Sequence, residues 1–219
     1  MTSIKTVIFD LDGTLLDTLE DLSEAVNHAL GKRGLPLHGI SEYRAMVGHG
    51  IRNLVTVSLP EALQQDEDMI DACLKDFKEF YSAHIDVKTR PYPGIPEMLT
   101  SLKREGVSLA VASNKFQEGT EYLIKEFFPD ISFAAILGNR PGYPLKPDPE
   151  IVGEVLRKTG SAKKDTVMVG DSMTDMKTAM NGGIRGIAVN WGYRVLEKSE
   201  DYTLVHSVEE LNASLKITA

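Results

Sequence analysis

The sequence predicts an α/β fold: a doubly wound, Rossmann-like parallel sheet with an all-helical unit inserted after its first strand. Two observations carry this. Short β-branched and apolar runs alternate with helical patterns through most of the chain, the signature of an open parallel sheet. The alternation breaks over roughly residues 18–88, where the apolar spacing is helical and no strand is expected. Two domains follow, a core of residues 1–17 with 89–219 and an inserted helical domain of residues 18–88.

Taken in order, Thr6-Val-Ile-Phe reads as a buried strand ending at Asp10. Thr18 with Asp21 three residues on resembles a capping box, with Asp in place of the usual Glu. It opens a helix whose apolar face is Leu19, Leu22, Val26 and Leu30. Ile70, Leu74, Phe77 and Tyr81 form a second long helical stripe, and Pro91, Pro93 and Gly94 mark the return to the core. Further strands are expected over residues 107–112, 134–137, 166–169 and 186–189. Asp148 reads as an N-cap with Pro149 at the first helical position, and that helix carries Ile151, Val155 and Leu156 to a stop at Gly160. A helix over residues 173–181 stops at Gly182-Gly183.

Composition narrows the function. Hydrophobic residues make up 42% and charged residues 26%, as in ordinary globular proteins. A formal net charge of -8 without any Lys/Arg block argues against a nucleic-acid partner. No stretch is long and apolar enough to span a membrane. No signal peptide is expected, because Asp10, Asp12 and Asp17 interrupt the apolar residues near the start. Cys73 is the only cysteine, which excludes an internal disulfide and a cysteine metal cluster and suits a cytoplasmic setting. If so acidic a chain acts on an anion, its site must bring its own positive charge.

Four features carry candidate chemistry, each just after an expected strand, where open α/β sheets bind ligands. The first is Asp10-Leu-Asp12-Gly-Thr14-Leu. One carboxylate of such a pair can attack phosphorus while the other moves protons, and Gly13 lets the chain turn between them. Taken alone the pair better suits a turn or a helix cap, and its place after an apolar strand, the Gly-Thr and the later partners reverse that. The second is Ser113-Asn114-Lys115, where a hydroxyl and free amides before a helix can hold phosphate oxygens or simply cap it. The third is Lys146, fixed between prolines, able to offset charge at a reacting centre or to sit idle in a loop. The fourth is Gly170-Asp171-Ser-Met-Thr-Asp175. Its two acids lie one helical turn apart if a helix starts there, and so suit either Mg²⁺ or an acidic helix start.

Together these segments resemble the haloacid dehalogenase-superfamily phosphatases, in the branch with a helical cap after the first motif. The likeness covers nearly the whole chain, including Arg90-Pro-Tyr-Pro-Gly at the return from cap to core. It implies Asp10 as nucleophile and Mg²⁺ ligand, and Asp12 as general acid/base with its backbone carbonyl on the metal. Asp171 would be a metal ligand, and Asp175 a ligand or an anchor through water. Ser113 with the Asn114 backbone would bind phosphate, Lys146 would neutralise charge, and Thr14 would orient the site. Within the family, Val47-Gly48-His49-Gly50-Ile-Arg52 is similar to a stretch of phosphoglycolate phosphatase-like members, in which His49 or Arg52 would meet a substrate carboxylate, or both would stand solvated at a helix-helix turn. The partner implied is a small phosphorylated metabolite, and the protein a monomer or homodimer. A sugar phosphomutase, a pyrophosphatase and a non-catalytic binding protein on the same fold are the alternatives.

Overall fold

The computed structural model describes residues 4–215. Its centre is a six-stranded parallel sheet in the order β5-β4-β1-β6-β7-β8. These strands are β1 (Thr6–Phe9), β4 (Ser108–Phe116), β5 (Ala135–Asn139), β6 (Thr166–Gly170), β7 (Arg185–Val189) and β8 (Tyr202–Val205). Successive side chains of β1 point to opposite faces. Val7 and Phe9 pack with Leu99 of α5 (Ile95–Arg104) and Leu211 of α9 (Val208–Leu215). Ile8 packs with Val152 and Val155 of α7 (Glu150–Thr159) and Ala179 of α8 (Met173–Gly182). Covered on both faces, β1 is buried along its whole length. The chain leaves β1 toward β4 on one side and later returns to β6 on the other, so β1 stands at the switch point where such sheets bind ligands.

Between β1 and β4 the chain holds a separate helical segment. It contains α1 (Leu19–Gly31), α2 (Ile40–Met46), α3 (Ile51–Ser58) and α4 (Glu67–His84), with a short 3₁₀ turn at Glu61–Leu63. A two-residue antiparallel ribbon of β2 (Leu16–Asp17) with β3 (Arg90–Pro91) brackets the segment. Leu19, Leu22, Val26 and Leu30 of α1 and Ile70, Phe77 and Tyr81 of α4 are buried in one cluster, with Leu74 packed partly buried against it.

The structure departs from the sequence expectation in four places. The capping box at Thr18 and Asp21 does not form, because both side chains have other partners. The Thr18 hydroxyl donates to Asp12 Oδ1 at 2.7 Å. The Asp21 carboxylate, 2% exposed, accepts from the amides of Lys88 (3.0 Å) and Thr89 (2.8 Å) and from the Thr89 hydroxyl (2.8 Å). The helix after Lys146 begins one residue late, with Pro149 at the cap and Asp148 accepting from the Glu150 amide at 2.9 Å. Strand β4 runs on through Phe116, with a break in register after Ala112, so Ser113-Asn114-Lys115 is strand and not the start of α6 (Gln117–Phe127). Strand β8 lies at the sheet edge, half covered, and so lacks the continuous apolar run of the central strands.

Asp21 staples the two ends of the helical segment together. Asp21→Ala leaves buried donors unpaired and is expected to lower stability by about 2–3 kcal/mol, read as a fall in the urea midpoint.

Candidate active site

The site is built where β1, β4 and β6 end. Asp10 follows β1, and its amide donates to the Val169 carbonyl of β6 at 2.9 Å, which fixes it to the sheet. Gly13 takes a φ of 81°, turning the chain so that Asp10 and Asp12 line one cleft. The break in β4 brings Ser113, Asn114 and Lys115 to the same cleft, and the loop before α7 brings Lys146.

Lys146 lies 2.8 Å from Asp10 Oδ1 and 2.7 Å from Asp175 Oδ1, with its side chain 2% exposed. Asp175 Oδ2 accepts from the Ser172 hydroxyl (2.6 Å) and amide (3.1 Å), which closes a capping box at the start of α8. Asp171 precedes α8, and its Oδ2 accepts from the Tyr193 amide at 2.8 Å. Asp171 and Asp175 thus meet through a cap and a loop, not along one helical turn. Asp10, Asp171 and Asp175 each offer an oxygen within 4.8 Å of the others.

Three buried carboxylates with one lysine between them leave excess negative charge. Burial, then the charge of Asp175 and that of Asp171, push Asp10 up to about 8 even though Lys146 pulls the other way. Burial and Asp175 likewise push Asp171 up to about 7. Burial would lower the Lys146 ammonium, but Asp10 and Asp175 outweigh it and hold the group firmly protonated. A hard divalent cation is what such a donor set fits. Asp10, Asp171 and Asp175 could hold it, although both oxygens of Asp175 also accept from Lys146 and Ser172.

A haloacid dehalogenase-like hydrolase family model matches residues 7–189. The chain belongs to that family. This hydrolase is 36% identical over 214 residues to a phosphoglycolate phosphatase of Mesorhizobium japonicum, covering 95% of this chain and 93% of the relative. Its fold matches a candidate phosphoglycolate phosphatase from Lactobacillus delbrueckii subsp. bulgaricus with a TM-score of 0.88 and 33% identity, over 98% and 99% of the two chains. It also matches CbbY of Rhodobacter sphaeroides, solved in complex with phosphate, with a TM-score of 0.75 and 25% identity over 95% and 96%. The enzyme is therefore phosphoglycolate phosphatase-like in sequence and fold.

Asn114 of the hydrolase lines the cleft, and its side chain is bonded to backbone. Its Nδ2 donates to the carbonyls of Gly48 (3.0 Å) and Lys146 (3.2 Å), and its Oδ1 accepts from the Lys146 amide (2.9 Å). Thr14 is wholly buried and does not line the cleft, and among the described residues its hydroxyl has no partner. The turn at Gly13 carries it into the core, where its carbonyl accepts from the Trp191 indole. Arg52 faces α4 instead of the cleft, pairing with Glu67 and with Asp71 at 2.5 Å. Acidic partners one helix away satisfy its charge. His49 is exposed and lines a neighbouring opening with Arg44 and Lys177.

Residues to which the motifs assign no role also reach the site. Lys115 lies 3.1 Å from Asp12 Oδ1. The Tyr193 hydroxyl accepts from the Thr18 amide at 2.7 Å. Arg194 lines the cleft while donating to the Val47 carbonyl at 2.6 Å. A side chain at Gly192 would collide with Asp171 and the Gly13 carbonyl. Residues 190–194 follow β7, so the strand-end rule that located the other features points here too.

Two outcomes follow. With the chelated protein, carboxyls raised from 3.8 to about 8 (Asp10) and about 7 (Asp171) bind more protons folded than unfolded across that interval. Stability therefore falls as pH rises through it, and an Asp10→Asn/Asp171→Asn variant flattens the fall in the urea midpoint. Arg52→Ala keeps kcat/KM within about twofold, since its pairs are exposed and away from the cleft.

Proposed function

We propose that this hydrolase is a Mg²⁺-dependent phosphatase that cleaves small phosphate monoesters through an aspartyl phosphate on Asp10. The observation that carries the reading is the buried Asp10–Lys146–Asp175 arrangement beside Asp171, in a cleft that Asp12 also lines. In this reading Asp10 and Asp171 hold Mg²⁺ with the Asp12 carbonyl, while Asp175 anchors the group from behind. When bound, the cation offsets the charge repulsion between a carboxylate and a phosphate.

The residues then divide the reaction. An oxygen of Asp10 attacks phosphorus, and the bond to the leaving oxygen breaks. Asp12 gives that oxygen a proton, so an alcohol departs. Asp12, now a carboxylate, takes a proton from water. The hydroxide oxygen attacks the phosphoryl group on Asp10, which frees inorganic phosphate and the carboxylate. Ser113 binds phosphate oxygens, and Lys146 holds positive charge beside Asp10 throughout.

The helical segment acts as the cap over the cleft, its apolar lining supplied by Leu22, Val47, Ile51 and Leu54. A closely lined cleft suits a small leaving group. The similarity to a phosphoglycolate phosphatase over nearly the whole chain makes phosphoglycolate the first substrate to try. Among the described residues no helix is long and apolar enough to cross a membrane. Cys73 is buried and unpaired, which fits a reducing cytoplasm.

A panel of phosphate monoesters with Mg²⁺, including phosphoglycolate and β-glucose 1-phosphate with a bisphosphate primer, tests the reading. Released inorganic phosphate is the expected product, and isomerised sugar phosphate without it would point to a mutase. Asp10→Asn is expected to cut kcat by about a thousandfold or more while the circular dichroism spectrum is kept. Mg²⁺ is expected to raise the melting temperature of the chelated protein, more so at about pH 8 than at about pH 6, because protons compete for Asp10 and Asp171.

A further inference from the structure

Lys146 is accounted for by Asp10 and Asp175. A second buried lysine is not accounted for by the scheme above. The Lys115 side chain is 1% exposed, and lysines are buried only where partners replace the lost water. Its ammonium lies 3.1 and 3.4 Å from the two oxygens of Asp12, 2.7 Å from the Tyr81 hydroxyl and 4.8 Å from the centre of the Tyr81 ring. Its backbone is held as firmly. The amide donates to Ser113 Oγ at 3.2 Å, and the carbonyl accepts from the Thr120 hydroxyl at 3.3 Å. That carbonyl also packs so closely on Gly138 that no side chain fits there. Tyr81 belongs to α4, is fully buried, and stacks on Phe77 with ring centres 5.2 Å apart. One ammonium therefore joins the end of β4, the Asp12 carboxylate and the helical segment.

We propose that Lys115 is a positioning residue for Asp12, and that Tyr81 holds Lys115 in turn, so that Asp12 is set for proton transfer only when α4 is docked on the core. This rests on the reading of Asp12 as proton donor. Such a donor must lie within hydrogen-bond reach of the leaving oxygen and later of water. A carboxylate just beside the Gly13 turn has several rotamers open to it. Charge-assisted bonds from a fixed ammonium and a bond from the Thr18 hydroxyl (2.7 Å) select one of them. The lysine stem crosses from core to helical segment, and its bond to Tyr81 ties that choice to the seating of α4.

The test compares two esters by kcat/KM, which covers the steps through phosphoryl transfer to Asp10. The alkoxide leaving from phosphoglycolate needs a proton, whereas the phenolate leaving from para-nitrophenyl phosphate departs without one. Lys115→Met is expected to lower the phosphoglycolate value about a hundredfold and the aryl value less than about fivefold. Tyr81→Phe, which removes one hydroxyl and keeps the ring, is expected to lower only the phosphoglycolate value, by about threefold to tenfold. The double variant is expected to be no worse than Lys115→Met alone. Equal losses on both esters would show a substrate-binding or general structural role and overturn the proposal. Additive losses would show that Tyr81 does not act through Lys115. If Lys115→Met does not fold, an unchanged ester ratio in folded Tyr81→Phe overturns it as well. Failure of the wild type to cleave either ester is a separate result, which removes the phosphatase reading itself.

Discussion

The bond pair from Lys146 to Asp10 and Asp175 is the constraint on which the site depends. Three carboxylates converge at the switch point of the sheet, in a place where water cannot screen them. One buried ammonium, 2.8 and 2.7 Å from two of them, offsets part of that charge. Burial, together with the charge left uncompensated, raises Asp10 and Asp171 far above the ordinary carboxylate range. The same imbalance suits the site to a cation and, in the proposed reaction, to an anionic substrate brought in with one. Buried charge of this kind is costly to the fold, and function is the physical reason to keep it.

The placement of Lys146 is shared with the helical segment. Asn114 binds the backbone of Lys146 at both its amide and its carbonyl, and the same side chain donates to Gly48 between α2 and α3. Arg194, from the loop after β7, donates to the carbonyls of Ala45 and Val47 at the end of α2. Polar side chains of the core thus bind free carbonyls of the inserted helices directly above the cleft. Asp21 does the reverse at the base, binding the amides where the chain returns. Cleft and helical segment are held by overlapping sets of bonds, so a change at one is felt at the other.

Much of this was legible in the linear chain. The strand that ends at Asp10 reads as apolar on every position because both of its faces are covered. The helical stripes of α1 and α4 read plainly because each buries one face. Asp10, Asp12, Ser113, Lys146 and Asp171 read as a set because each follows an expected strand, and parallel strands end on one edge. Strand β8 and the loop after β7 were harder to read. The first is a half-exposed edge, and the second holds its place through the backbone of Gly192 and Tyr193, which carries no side-chain signal.

The partners of individual polar side chains were not legible. Thr18 and Asp21 have the spacing of a cap, yet each finds a stronger partner brought from elsewhere in the chain, Asp12 for one and Lys88-Thr89 for the other. Arg52 has the charge to meet a carboxylate and meets Glu67 and Asp71 on α4. Lys115 belongs to the second motif without a role of its own until Asp12 and Tyr81 close on it. Periodicity and strand-end position are properties of neighbours along the chain, and they carry the fold class and the list of reacting groups. Which donor meets which acceptor is settled between segments far apart in sequence, where packing sets who is near enough and burial makes an unpaired charge too costly to leave.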